Sequence, residues 1–250
     1  MMSGKSDKRT RGQGIMPIRI LGIIGSPRKN GNTEIMVNEA LEGASEVQGV
    51  EIHRFLFHGK RFEACLASCM AYCQEHGKCV LEDDFPEFME AWLMADGIIF
   101  GVPVYHMGPP AQVKAAIDRL GNVLFSYLHG RMIRFNKVCG AIVQGSSRWG
   151  GQEITAQFLI EHFITMGCLP TTGDKPGPYL GAIGHAPKSQ ERGGILTDEF
   201  ALQAARNLGK RVAETARIVQ AGMTLLAEEL PDIYFFSKTM ATAKFGSTAE

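Results

Sequence analysis

From residue 18 onward the sequence alternates between short apolar runs rich in β-branched residues, bounded by turn formers, and longer segments of helical period. A run that is apolar at nearly every position is buried on both faces, as a strand is when helices cover a sheet on both sides. The alternation therefore predicts βα units wound around a parallel sheet. Strands are expected over 18–24, 51–57, 97–102 and 138–143, with a weaker fifth near 167–171. Helices are expected over 33–44, 85–95, 111–122, 152–166 and 197–221. In the last of these, Phe200, Ala204, Leu208, Val212 and Ala216 recur at i+4 and form one apolar stripe. Five strands and five helices match a doubly wound sheet, which binds ligands beyond the carboxyl ends of its strands, where strand order reverses.

A chain of 250 residues with 45% apolar content can bury one good-sized core. One domain over 17–222 is expected, with tails. Residues 1–16 carry Lys5, Lys8, Arg9 and Arg11 among Ser, Thr and Gly, and read as a disordered basic tail without the apolar run of a secretory leader. The tail at 223–250 includes Tyr234, Phe235 and Phe236, which suit packing on the body or on a second subunit. Lys and Arg together number 26, as do Asp and Glu, so no net field draws the chain to nucleic acid or to an anionic membrane. Apolar runs such as 97–104 are too short to span a bilayer. A cytoplasmic protein with neither nucleic acid nor membrane as partner is expected.

After the first expected strand comes Gly25-Ser26-Pro27-Arg28-Lys29-Asn30-Gly31-Asn32-Thr33, and a helical segment follows at once. The first amides of a helix have no internal partners and the helix dipole is positive there, so this turn suits a phosphate. Ser26, Asn32 and Thr33 can add side-chain donors and Arg28 a charge-assisted fork. The loop lacks the Gly-Lys-Ser/Thr ending of a triphosphate site and the three-glycine spacing of a pyrophosphate site. A terminal monophosphate fits best. The plainer reading is a helix start in which Ser and Thr merely cap.

Two later segments add to this loop: Gly101-Val102-Pro103-Val104-Tyr105-His106-Met107 with Ala111-Gln112-Val113-Lys114-Ala115-Ala116-Ile117-Asp118-Arg119, and Gly145-Ser146-Ser147-Arg148-Trp149-Gly150-Gly151-Gln152-Glu153. Together with the 25–33 turn, they resemble the three flavin loops of the NADPH-dependent FMN reductase and iron-sulfur flavoprotein family. The likeness continues through residues 181–186 and 205–211 and covers nearly everything except the two tails. It implies a flavodoxin-like α/β fold, a five-stranded parallel sheet of order 2-1-3-4-5, with the three loops at the ends of strands one, three and four meeting in one crevice.

The resemblance also implies roles. Pro103, Val104, Tyr105, His106 and Met107 would line one edge of the isoalloxazine ring, against a plainer reading of Tyr105 and Met107 as core packing. Gly145, Ser146, Ser147, Gly150 and Gly151 would bring backbone donors to the pyrimidine side, where charge develops on reduction. Arg148 would stabilise that charge or meet a nicotinamide phosphate, and Trp149 would stack or cover the loop. Hydride transfer from NAD(P)H to FMN needs no acid or base from the protein, so no catalytic side chain is assigned. A homodimer or homotetramer with flavin near the interface, and a redox protein partner, belong to the same set of implications.

Four of the six cysteines are crowded as Cys65-x3-Cys69-x3-Cys73-x5-Cys79, in an insert over 60–84. Without a leader, clustered cysteines suit metal or redox work better than disulfides. The iron-sulfur flavoproteins carry a compact cysteine motif at this place, which implies a [4Fe-4S] cluster held by these four residues. The family pattern generally has two residues in each of the first gaps, whereas this chain has three. On a straight helix Cys65 and Cys73 would lie about 12 Å apart along the axis, so the segment must bend or one cysteine is not a ligand. A cluster, a vestigial site with free or paired thiols, and a zinc site all remain open, with His76 as a solvated residue or a replacement ligand. Cys139 and Cys168 read as buried small hydrophobes. The expected function is an FMN oxidoreductase taking hydride from NAD(P)H. The rivals are a non-catalytic electron carrier, against which the neutral charge speaks, and a biosynthetic dehydrogenase on the same scaffold.

Overall fold

The computed structural model describes residues 17–131, 134–173, 179–188, 191–235 and 239–241. The basic tail expected over 1–16, Phe236 and the last residues 242–250 lie outside them. The elements run β1 (Ile18–Ile24), α1 (Asn32–Ser45), β2 (Val50–Leu56), α2 (Met70–His76), α3 (Phe85–Met94), β3 (Gly97–Pro103), α4 (Ala111–Tyr127), β4 (Val138–Gly145), α5 (Gln152–Thr165), β5 (Leu169–Pro170), β6 (Ala182–His185) and α6 (Glu199–Leu225). The sheet is parallel with order β2-β1-β3-β4-β5, as the flavodoxin-like resemblance implied. The three central strands are buried on both faces because helices cover both, and their sequences are accordingly almost continuously apolar.

The fifth strand departs from expectation. Only Leu169 and Pro170 pair with β4, opposite Val138 and Cys139. The rest of that edge is taken by Ala182–His185, paired with Ile142 to Gly145, inside a stretch the sequence presents as a Gly/Pro-rich loop. Ala182 and Gly184 give it little strand propensity, and it is the free edge of β4 that makes it a strand. Helix α2 is likewise absent from the sequence expectation, being a single seven-residue piece in the cysteine insert.

Two apolar cores sandwich the sheet. On one side α1 and α6 pack on Ile18, Ile20, Ile24, Ile99 and Ile142. On the other, α3, α4 and α5 pack on Leu21, Ile23, Phe100 and Val143. A Cβ on Gly209 would lie 1.7 Å from the Ala40 carbonyl oxygen, so the α1 and α6 backbones are in direct contact. In α6 the expected stripe holds for Ala204, Leu208, Val212 and Ala216, and burying Leu208 and Val212 contributes about 1.5–3 kcal/mol each. Phe200, in contrast, is 56% exposed. The helix starts later than expected because Asp198 caps it, accepting from the Ala201 amide at 3.1 Å, and it continues to Leu225. Beyond α6, Met240 and Ala241 are buried in the body's core and Tyr234 Oη accepts from Arg134 Nη1 at 2.6 Å. Tyr234, Met240 and Ala241 therefore pack on the body. Among the described residues no helix is long and apolar enough to cross a membrane.

Candidate functional site

The turn after β1 begins at Gly25, whose amide donates to the Gly101 carbonyl at 2.8 Å and so fastens it to the end of β3. Ser26 is buried and its Oγ accepts from the Arg28 amide at 3.2 Å. Asn30 has a left-handed backbone, and its amide donates to Glu34 Oε2 at 2.7 Å, while the other oxygen of Glu34 pairs with Arg54 at 2.6 Å. That pairing offsets an acidic charge which would otherwise oppose an anion at this helix start. The N-cap is Gly31 and no side chain caps the helix, so the plainer capping reading of Ser and Thr does not hold. The uncapped first-turn amides are the ones that lack helix partners. Thr33 is buried under the turn with Oγ1 accepting from Gln144 at 3.4 Å. Asn32 spans to a later segment: its amide nitrogen donates to the Glu191 carbonyl at 3.4 Å and its oxygen accepts from the Ile195 amide at 3.3 Å.

After β3 the chain folds into a two-residue hairpin in which the Tyr105 and Gly108 backbones exchange hydrogen bonds of 2.7 and 3.1 Å. Its central residues, His106 and Met107, have φ of 48° and 67°. Both positions of such a turn favour Gly or Asn, so these side chains are held there at a cost of about 1–2 kcal/mol each. Tyr105 and Met107 are 42% and 49% exposed, which sets aside the reading of either as core packing. The loop after β4 is shaped by Gln152, whose Oε1 accepts from the Gly150 amide at 2.9 Å and whose Nε2 donates to the Ser147 carbonyl. Gly151, at φ 103°, lies so close to the hairpin that a Cβ would sit 2.8 Å from Met107 Sδ. Ser146, Ser147 and Arg148 are exposed, and Trp149 is held 95% in solvent.

Ser26, Arg28, Asn32, Pro103, Val104, Tyr105, Gly145 and Ser146 line one cavity of about 500 Å³. Met107, Arg148, Trp149 and Gly151 line a second hollow of about 360 Å³, while Thr33, His106, Ser147 and Gly150 line neither. Sequence reasoning missed Lys29, His58, Gln144, Glu191 and Arg192, which also face the larger cavity. His58 follows the end of β2, and its Nδ1 meets the Pro27 carbonyl at 2.9 Å, so the rule that ligands bind at strand carboxyl ends was the available signal. Glu191 and Arg192 had none, since they are delivered by a long return from α5. Arg28, Lys29 and Arg192 give the cavity a cationic rim suited to an anionic group.

In the insert the chain bends where the cysteine spacing requires it. Ala67 takes a left-handed backbone, between Cys65 and the Cys69 that precedes α2, and Gly77 ends that helix, its amide donating to the Cys73 carbonyl at 2.9 Å. Cys65, Cys69 and Cys79 are half-buried, Cys73 is buried, and all are free thiols. Burial, together with the nearby sulfurs of Cys69, Cys79 and Cys65, pushes the Cys73 thiol up to about 11. Cys65, Cys69 and Cys79 thus lie within electrostatic reach of Cys73. Arg119 Nε donates to Cys79 Sγ at 3.2 Å, and Asn122 Nδ2 to Cys65 Sγ at 3.2 Å. Among the described residues no three His, Cys, Asp or Glu side chains are grouped closely enough for one metal ion. Cys139 and Cys168 are buried, as expected.

A family model described as NADPH-dependent FMN reductase matches residues 18–173. An iron-sulfur flavoprotein of Methanocaldococcus jannaschii is 37% identical over 205 residues, which cover 81% of this chain and 100% of the relative. An iron-sulfur flavoprotein of Archaeoglobus fulgidus is 35% identical over 198 residues, 78% of this chain and 95% of that one. Among solved structures, a flavodoxin, WrbA-like protein from Agrobacterium tumefaciens shares the fold at a TM-score of 0.50 and 22% identity, covering 81% of this chain and 98% of the other. With its matched region running from β1 past β5 and so carrying all three crevice loops and the cysteine insert, the chain belongs to the NADPH-dependent FMN reductase and iron-sulfur flavoprotein family, a family of FMN-linked oxidoreductases.

Proposed function

We propose that the crevice binds FMN, that NAD(P)H is the hydride donor, and that Cys65, Cys69, Cys73 and Cys79 hold a [4Fe-4S] cluster that leads electrons away. The observation that carries this reading is the meeting of the loops after β1, β3 and β4 on one cavity with a cationic rim. The uncapped first turn of α1, with Ser26, Asn32 and Thr33 shaping it, takes the phosphate, and Arg28 adds its charge. Pro103 to Met107 flank the ring, and the loop from Gly145 through Ser147, Arg148 and Trp149 to Gly151 faces its pyrimidine side. Bound FMN supplies the conversion of a hydride into single electrons, and no side-chain acid or base is required of the protein.

The cysteines fit a cluster better than zinc. Structural zinc sites are usually built from paired Cys-x2-Cys knuckles, which the Cys65-x3-Cys69-x3-Cys73-x5-Cys79 spacing lacks. A four-iron cluster takes one thiolate on each iron, so four cysteines from one short segment supply its full ligand set. We further propose a domain over 17–222 in a cytoplasmic protein. Exposed Tyr105, Met107 and Trp149 at the crevice, and Leu66, Met70 and Val80 on the insert, support assembly as a homodimer or homotetramer and docking of a redox partner.

The test is made on protein purified without oxygen. Added FMN is expected to bind with a yellow absorbance, and riboflavin, which lacks the phosphate, to bind far less tightly. Arg28→Ala is expected to weaken FMN about 10- to 100-fold, the value of a charge-assisted hydrogen bond, and to leave riboflavin unchanged. NADPH or NADH is expected to be oxidised steadily with an added acceptor. Iron and sulfide are expected in amounts near four per chain, lost in Cys69→Ser. A chain that takes up no FMN sinks the flavin reading, and a flavin-loaded chain without iron sinks the cluster reading alone.

A further inference from the structure

Helix α4 begins at Ala111, just after the Tyr105 to Gly108 hairpin, and reaches the cysteine insert with two N–H donors. Arg119 donates from Nε to Cys79 Sγ and Asn122 donates from Nδ2 to Cys65 Sγ, each at 3.2 Å. These are the last and first cysteines of the motif. Three residues apart, the two donors share one face of the helix.

A guanidinium is almost never fully buried unless paired, and the Arg119 side chain is 0% exposed against an equally buried Asp83. Arg119 Nη1 and Nη2 meet the two oxygens of Asp83 at 2.5 and 2.9 Å. Asp83 also accepts from the amides of Glu63 at 2.8 Å and Phe85 at 3.1 Å. A fastening of the insert to α4 is complete with those bonds. It makes no use of Arg119 Nε, and Asn122 has no part in it, yet both are aimed at sulfur.

A neutral thiol is a weak acceptor, whereas hydrogen bonds to a charged acceptor are roughly twice as strong as neutral ones. The two donors are therefore worth most against iron-bound thiolates. Hydrogen bonds to cluster sulfurs and local net charge are among the quantities that set a cluster's potential, and donors favour the more negative, reduced state. We infer that Arg119 and Asn122 are positioning residues that raise the reduction potential of a cluster held by Cys65 and Cys79 above what the four thiolates alone would give. The inference rests on the cluster proposed above and goes beyond its ligand assignment.

The test uses full-length protein prepared without oxygen, with iron, sulfide and FMN counted per chain and the cluster midpoint read by redox titration followed by electron paramagnetic resonance. Asn122→Leu removes one donor at similar volume, Arg119→Gln removes the charge and the fork, and Arg119→Lys keeps the charge without Nε. With iron and FMN contents unchanged, the midpoint is expected to fall in Asn122→Leu and to fall further in Arg119→Gln, with Arg119→Lys between wild type and Arg119→Gln. The double change is expected to add the two shifts. An unshifted midpoint in an iron-replete Asn122→Leu protein overturns the inference and leaves the cluster standing. A wild-type protein without iron removes the cluster and the inference with it. Should Arg119→Gln fail to fold, Asn122→Leu decides by itself, because it leaves the buried ion pair intact.

Discussion

The crevice and the cysteine insert are built by different physics, although α4 serves both. The crevice loops leave strands that are locked side by side by sheet hydrogen bonds, so their convergence follows from strand order. The insert leaves the sheet after β2, contains one short helix, and is fastened by side chains: Asp83 to Arg119, Asp84 to the Arg61 amide at 2.7 Å, and Gln74 to His129 at 2.8 Å. A site at strand ends inherits its geometry from the fold, whereas an inserted one must carry its own fastenings and can open locally while the body stays folded.

The largest expected effect falls on that fastening. Burial works against the Asp83 carboxylate, but hydrogen bonds from Arg119 and from the Glu63 and Phe85 amides outweigh it and hold its pKa below the ordinary value. Asp83→Leu strands a buried guanidinium and is expected to destabilise the insert by about 3–5 kcal/mol. Hydrogen exchange and protease cleavage over residues 61–84 are expected to rise while FMN binding persists. A parallel loss of FMN binding would break the comparison.

An intermediate effect lies in the body, where His162 on α5 is buried and its Nε2 has no partner among the described residues. Burial pushes its pKa down to about 4, against a smaller opposite pull from Asp118. The folded state thus favours the neutral ring, while the unfolded state takes up a proton near pH 6.5. Stability from this group is complete above that pH and is lost as the pH falls toward 4, on the order of 3 kcal/mol in all. Denaturant titrations from pH 7 to 4 are expected to show that slope, and His162→Leu to flatten it. A slope that survives the change would assign it to other groups.

The smallest effect concerns the hairpin. His106→Gly relieves a left-handed backbone and is expected to stabilise the protein by about 1 kcal/mol, read as a small rise in Tm. If FMN affinity falls at the same time, the strain belongs to the site and not merely to the turn.

Much of the body was legible because its signals are local. Strands such as Ile18–Ile24 and Gly97–Pro103 are buried on both faces and had to be written as apolar runs. Strand β6 was illegible because Ala182 and Gly184 carry no strand signal of their own. A Cβ at Gly184 would lie 2.6 Å from Ile195 Cδ1 and 2.7 Å from Met36 Sδ, so those two side-chain ends would have to shift to admit one. The same division runs through the site. Ser26 and Arg28 could be read from a loop motif, whereas Arg192 reaches the cavity only through a long return.

Period and spacing by themselves determined that the chain would form βα units, that a polar turn would precede α1, and that four cysteines would be crowded into an insert. Each is a property of neighbours along the chain. Where the insert turns between Cys65 and Cys69, and which helix supplies donors to its sulfurs, was decided only in three dimensions. A single left-handed residue at Ala67 and a guanidinium 40 positions from Cys79 settle both, and neither a backbone dihedral nor a distant contact is written in local sequence.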